Sequence, residues 1–278
     1  ASRARLAADL FVAAFVLPKT RDTEKTIPTT QDLWLVLNGS VPRPGVAAAA
    51  ASAVQTAQAF HWWQAFPQVR AKGGFSVLLG NPPWEVSQMG EEEYFAARAP
   101  SIAALAGERR KRAIAALEVE NPGLWRTYLI DCQRVEAANT FFREAGRFPL
   151  TAVSKLNTYP LFAETFAQTV SGEGRVGFIV PSGIGTDDST KRYFQFLVNE
   201  RWLASFFGFD NAKRIFPSVH PDTPFALVTI GSSGNNAELA HYLLAQAQLA
   251  DPRRRFRLTP DEFRLINPNT LTCPVFRS

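Results

Sequence analysis

Apolar positions first recur along the chain at helical spacing: Leu6, Leu10, Ala13, Ala14 and Leu17 lie within Arg3 to Leu17, and Pro18 follows. That pattern predicts a helix with a proline stop. Lys19 to Gly45 is rich in Thr, Pro and charge, with one short apolar piece at Leu33 to Leu37, and reads as a long surface excursion. Val46 to Ala59 predicts a second helix, and the aromatic-dense Phe60 to Phe66 a short strand. Phe75 to Leu79 is a continuous apolar run, the pattern of a strand buried on both faces. Glu91 to Gly146 is charged and helical, a long insertion before the amphipathic helix predicted over Leu156 to Val170. Gly172 and Gly174 break that helix, and Arg175 to Val180 predicts a second buried strand ending at Pro181. Thr186 to Glu200 reads as a further helix with Thr186 or Asp187 as its N-cap. Leu203 to Phe209 and Phe225 to Ile230 predict two more strands, and no internal repeat is visible.

Strand, helix, strand, helix and two closely spaced strands make an α/β pattern. In open α/β sheets, ligands sit outside the carboxyl ends of the strands. Asn81 to Trp84 and Pro181 to Gly183 both follow strand carboxyl ends, so they are expected on one rim.

Composition narrows the picture. The chain has 278 residues, 46% of them hydrophobic, which is enough to bury a core as one large domain or two small ones. Charged residues at 20% and aromatics at 12% exclude a disordered composition. A formal net charge of +5 tolerates a polyanionic partner without requiring one. Two basic runs are candidate phosphate contacts: Arg109, Arg110, Lys111 and Arg112, then Arg253, Arg254 and Arg255. Each is equally readable as a solvated surface. Cys132 and Cys273 lie far apart without a CxxC partner, which argues against a disulfide scaffold and a thiolate zinc site. His61, His220 and His241 have no metal-ligand spacing, so no metal is expected. No apolar run approaches the roughly 20 residues that span a bilayer, and no signal peptide is visible. A reducing, cytoplasmic setting is the simplest reading. The chain starts at Ala1 and its only methionine is Met89, so an internal piece of a longer protein is expected.

The stretch FSVLLGNPPWE, Phe75 to Glu85, carries the most chemistry. Two successive prolines fix φ and remove two backbone donors. The turn then offers carbonyl oxygens without competing N–H groups, and Asn81 adds a side-chain acceptor. Two acceptors on a rigid turn suit an amino group, which has two hydrogens to give. Trp84 adds an apolar face on which a planar ring can stack. The combination reads as a clamp for an aromatic amine, against the plain alternative of a rigid turn with a buried indole.

Asn81-Pro82-Pro83-Trp84 resembles the catalytic motif of amino-group DNA methyltransferases, in particular the gamma-class adenine-N6 type. Lys155, Asn157, Tyr159, Phe162 and Glu164, in KLNTYPLFAE, resemble the helix after the catalytic loop. RVGFIVPS, Arg175 to Ser182, is similar to the next strand of that class, and Arg214 to Pro217 followed by FALVTIG to its motif with a second base-stacking aromatic. LTPDEFRLINPNTLTCPVFRS and HWWQAFP look like segments of large type IIG restriction–modification and phage-exclusion methyltransferases. The resemblance covers most of the chain from about Phe60 onward.

It implies a partial doubly wound, Rossmann-like methyltransferase fold with a helical insertion after the catalytic loop. It also implies S-adenosyl-L-methionine as cofactor and double-stranded DNA as partner, with an adenine flipped into the cleft. Asn81 and the Pro82 carbonyl would accept the amino hydrogens, Trp84 would stack on one face of the base, and Phe216 would supply the other face or edge. Phe162 and Pro83 would lie against the cofactor. His61 and Trp62 fall where a further cofactor-side motif belongs, although the acidic residue expected there is absent.

The class's glycine-rich cofactor motif is missing. VSGEGR at Gly172 and Gly174 follows a helix, and GSSGNNAE at Gly231 to Glu238 is a poor match. Without the strand that bears this motif, the Phe75 strand is expected to have an open, apolar edge. The chain alone is then expected to bind cofactor weakly or not at all, and to need the rest of a parent polypeptide or a completing subunit. The expected organisation is a helical lead-in over 1–59, a catalytic core over 60–232 with its insertion at 91–150, and an extension over 233–278 leading to a missing target-recognition domain. Two other readings stand beside it. One is an Asn-Pro-Pro methyltransferase acting on protein glutamine or RNA; the other is an inactive methylase-like DNA-binding module.

Overall fold

The computed structural model describes residues 2–276 except 233 and 235. Ser233 and Asn235 of GSSGNNAE, and Arg277 and Ser278 of the closing segment, lie outside the described residues. The chain forms two compact units, Ala1–Ala65 with Ser87–Arg147, and Phe66–Val86 with Phe148–Ser278.

The first unit is helical throughout, with long helices Arg3–Val16, Val46–Thr56, Gly107–Glu120 and Pro122–Glu144. Leu10, Ala13, Val36, Val46 and Ala50 make one buried cluster and Phe95, Ile114, Leu117 and Tyr128 another. Two expectations fail here. The surface excursion contains a helix, Thr30–Leu37, which Thr29 and Asp32 start with a reciprocal capping box. Asp32 is fully buried and also bonds the Arg43 guanidinium at 2.7 Å, which holds its carboxyl far below the usual carboxylate range. The strand expected over Phe60 to Phe66 is a single helical turn, Trp62–Ala65. There the N–H groups of Gln64 and Ala65 return to the His61 carbonyl at 3.0 Å, and Pro67 has no N–H for a ladder.

The second unit is a mixed α/β structure around a six-stranded sheet. Its strands are β1 (Phe75–Gly80), β2 (Val170–Pro181), β3 (Leu203–Phe209), β4 (Phe225–Ile230), β5 (Ala237–Leu243) and β6 (Phe256–Leu258), in the order β1-β2-β4-β3-β5-β6. β1 runs parallel to β2 and β3 to β5; the other pairs are antiparallel. Helices Thr158–Thr169, Lys191–Asn199 and Pro260–Ile266 bury Ala163, Phe194, Leu197 and Phe263 in one core with Val176, Phe178, Val180, Phe206, Val228 and Ile230.

β1 corrects the expectation of a strand buried on both faces: Val77 is 63% and Leu79 82% exposed. It is an edge strand paired only with β2 among the described residues, so the open, apolar edge is present. The helix expected from Thr186 begins at Lys191, because Gly183–Thr186 and Asp188–Thr190 form separate short turns tied by the Thr190 hydroxyl to the Gly183 carbonyl at 2.6 Å. Beyond residue 233, β5, β6 and Pro260–Ile266 all pack on the sheet, and the Cys273 N–H donates to the Gly185 carbonyl at 2.7 Å. No helix among the described residues is long and apolar enough to cross a membrane.

Candidate active site

Because β1 and β2 are parallel, with Gly80 opposite Phe178, their carboxyl ends lie on one rim as expected. The chain leaves β1 at Asn81 and runs through Pro82, which is buried, and Pro83, which is exposed. Helix Thr158–Thr169 holds this loop from its first residue. The Thr158 hydroxyl donates to the Pro83 carbonyl at 2.6 Å, and the Thr158 N–H donates to the Glu85 carbonyl at 2.9 Å. The Glu85 N–H returns to the Thr158 hydroxyl at 3.1 Å, and Val86 bridges Asn157. Asn157 itself caps the helix by accepting from the Tyr159 N–H at 3.3 Å. Tyr159 is buried, which pushes its phenol up to about 12, with the nearby Asp187 charge adding to the shift.

The prolines bring no donors, and the Pro83 carbonyl is spent on Thr158. The Pro82 carbonyl and the exposed Asn81 carboxamide have no hydrogen-bond partner among the described residues. The loop thus keeps two acceptors free and adjacent.

Trp84 is fixed beside them. Its indole N–H donates to the Ile179 carbonyl at 3.4 Å, and its ring meets Phe216 edge-to-face, with centroids 6.2 Å apart and planes at 80°. At that angle the two rings cannot sandwich a flat base between parallel faces, so Phe216 offers an edge. Phe216 in turn meets Phe225 at 4.8 Å, and Phe225 stacks on Phe209 at 5.2 Å and 5°. Phe209, Phe216 and Phe225 line an open groove of about 510 Å³, with Ile179, Ile215 and Leu227 as further apolar walls and Lys213 and Gln246 as polar ones. That size falls within the roughly 300–1,000 Å³ of small-molecule sites.

The remaining candidates are carried by other elements. Phe162 keeps 40% of its surface exposed on a helix whose neighbours Leu161 and Ala163 are buried, and its ring stands 6.2 Å from that of Phe166. His61 and Trp62 belong to the helical unit, where the His61 ring contacts Asp9 at 2.8 Å and Trp62 packs edge-on to Phe60. Arg5 bonds the same Asp9 carboxylate at 3.0 Å. Arg109, Arg110, Lys111 and Arg112 lie in that unit too, with Arg110 paired to Glu92 and Lys111 to Glu108. Arg253 bonds Asp251, and Arg255 and Arg257 flank Glu238, so the second basic run is partly neutralised; Arg254 is half-buried.

Two residues that the sequence did not single out prove central to this geometry. Thr158 meets Pro83 across 75 residues, a pairing no local pattern announces. Asn211, fully buried, accepts the Phe216 N–H at 3.0 Å and donates to the Phe216 and Val219 carbonyls. Its only sequence signal is an asparagine two residues past a strand end, a common turn position.

Residues 7–107 match the family model of the Eco57I restriction-modification methylase. The match takes in β1 and the whole Asn81 to Trp84 loop, so the resemblance to restriction–modification methylases read from the sequence is shown there. No match was found among curated proteins. Among solved structures, the methyltransferase subunit of a type I restriction-modification system from Streptococcus thermophilus aligns at 12% identity and a TM-score of 0.38, over 49% of this chain and 34% of that one. The type IIG restriction endonuclease BpuSI aligns at 18% identity and a TM-score of 0.40, over 73% of this chain and 21% of that one. DrdV, solved in complex with DNA, aligns at 10% identity and a TM-score of 0.38, over 68% of this chain and 18% of that one. This chain thus spans about a third or less of the length of these proteins.

Proposed function

We propose that this chain is the catalytic part of a cytoplasmic DNA adenine-N6 methyltransferase of a restriction–modification or phage-defence system. Its reaction is transfer of a methyl group from S-adenosyl-L-methionine to the amino group of a flipped adenine. The observation that carries the reading is the pair of uncommitted acceptors, Asn81 and the Pro82 carbonyl, close in the chain to Trp84, whose ring meets Phe216 of an aromatic groove.

An exocyclic amine has two N–H groups, and the two acceptors match them. Accepting both hydrogens draws electron density onto the amino nitrogen, so no strong general base is needed; the work is positioning and electrostatic preorganisation. Trp84, locked by the Ile179 carbonyl, offers a face for the base, and Phe216 an edge.

The half-exposed Phe162 ring suits stacking by the adenine of the cofactor, with Pro83 beside it in the reading drawn from the family. S-adenosylmethionine, when bound, supplies an electrophilic methyl group. The open edge of β1 agrees with a cofactor site completed by further polypeptide.

Double-stranded DNA is the proposed partner, with the arginines at 109–112 and 253–255 as phosphate contacts. The test is label transfer from radioactive S-adenosylmethionine, in the full polypeptide that carries this chain, offered adenine-containing duplex, RNA and protein in parallel. Label in duplex at adenine N6 is expected. Label in RNA or at a protein glutamine instead would keep the clamp and overturn the DNA assignment.

A further inference from the structure

We propose that Asn211 is a positioning residue of the groove: it fixes the peptide of Phe216, and through it the ring that meets a bound base. The inference rests on the base-stacking reading given above.

Phe216 lies in the long connection between β3 and β4, residues 210–224. An exposed loop of that length keeps a ring in one place only if something within it is tied down. Ala212, Lys213, Arg214 and Ile215 are exposed, whereas Asn211 is fully buried at their base. Its Nδ2 donates to the Phe216 carbonyl at 3.1 Å and the Val219 carbonyl at 3.0 Å, and its Oδ1 accepts from the Phe216 N–H at 3.0 Å. One carboxamide therefore grips Phe216 at both its N–H and its C=O. The backbone cooperates: Arg214 adopts a left-handed φ of 53°, and the Val219 N–H returns to the Phe216 carbonyl at 3.1 Å.

A buried amide is costly unless its hydrogen bonds are made, and here both its donor and its acceptor are used. The ring it carries touches Trp84 on one side and Phe225 on the other. A loop that only joined β3 to β4 would need no such grip on the residue whose ring meets Trp84.

The test uses the 278-residue chain. The probe is a mixed-sequence single-stranded oligonucleotide with one 2-aminopurine, whose emission reports stacking, and an end label whose anisotropy reports total binding. Wild-type chain is expected to change the emission, and Trp84→Ala and Phe216→Ala to remove most of that change. Asn211→Ala is expected to shrink the saturating change about fivefold, with the anisotropy Kd shifted by less than roughly threefold. A residue that served stability alone would lower the melting temperature and leave the saturating emission unaltered. Asn211→Asp keeps the acceptor for the Phe216 N–H, loses both donors and is expected to fall between.

A folded Asn211→Ala chain with the wild-type emission change overturns the inference and leaves the stacking reading standing. An emission change that is absent in wild type, or that survives both Trp84→Ala and Phe216→Ala, overturns the stacking reading and this inference together. If Asn211→Ala does not fold, Asn211→Asp decides, and a wild-type emission change from it overturns the inference.

Discussion

The Thr158 hydroxyl donates a 2.6 Å hydrogen bond to the Pro83 carbonyl. It links the first turn of a helix to the middle of the Pro-Pro loop, and it takes one of the loop's carbonyls out of play while leaving that of Pro82 free. Thr158→Val keeps the branched shape and deletes both this bond and the one the hydroxyl accepts from the Glu85 N–H. Each net hydrogen bond contributes only about 1 kcal/mol, so the melting temperature is expected to fall by only a few degrees. Methyl transfer is expected to fall about 10- to 100-fold, because a loop displaced by a fraction of an ångström misaligns both acceptors. Thr158→Ser should restore it. Initial rates and thermal melts of the three proteins check this; an unchanged rate in Thr158→Val would show that the loop does not need its clamp.

Trp84 combines a stacking face with a hydrogen bond to Ile179. Trp84→Ala is expected to weaken binding of a flipped or single-stranded base by about 1–3 kcal/mol. Trp84→Phe keeps a ring but loses the bond that orients it, and should lie between alanine and wild type. Titration with 2-aminopurine-containing oligonucleotide orders the three; equal affinities would remove Trp84 from the site.

His241 lies buried between Phe206 and Phe256, with its ring 3.9 Å from the Cys273 sulfur. Burial pushes its imidazole down to about 4, from 6.5. Below pH 6.5 the unfolded chain takes up a proton that the folded chain refuses, so stability should drop as pH falls from about 6.5 towards 4. Glu164, whose carboxyl burial pushes up from 4.5, acts in the opposite sense. Melting temperatures of wild type and His241→Gln across the window isolate the histidine: the variant's profile should be flatter. Parallel profiles would refute the assignment.

The uncovered face of β1 has a consequence for the isolated chain. Val77 and Leu79 project from a strand with an open edge, the arrangement that promotes strand-to-strand association. Sedimentation of the isolated chain is expected to show concentration-dependent association, and Leu79→Lys to reduce it. Association unchanged by the lysine would place the contact elsewhere.

Much of this architecture is legible in the chain. The runs Phe75 to Leu79, Arg175 to Val180, Leu203 to Phe209 and Phe225 to Ile230 all form strands, the state that a short, continuous apolar run favours whether or not both its faces end up covered. β5 was not legible, since AELAHYL places a histidine and three small or charged residues where an apolar run is sought. β6 hides inside a run of arginines, where only Phe256 and Leu258 are apolar. The exposure of Val77 and Leu79 was hidden too, because an edge strand and a central one share the same composition and differ only in what packs against them. At the site, the chemistry of Asn81 to Trp84 is local and could be read residue by residue. Thr158 and Asn211 act through contacts that only the folded chain creates.

The most direct measurement is label transfer from radioactive S-adenosylmethionine to duplex DNA, by the full polypeptide with Asn81 intact and with Asn81→Ala. The Asn81 side chain is exposed and makes no hydrogen bond among the described residues, so its loss should leave the melting temperature within about a degree or two. The account predicts that transfer falls at least about a hundredfold, as for removal of one preorganised acceptor or donor from a reacting centre. An Asn81→Ala protein that methylates duplex at the wild-type rate would contradict it.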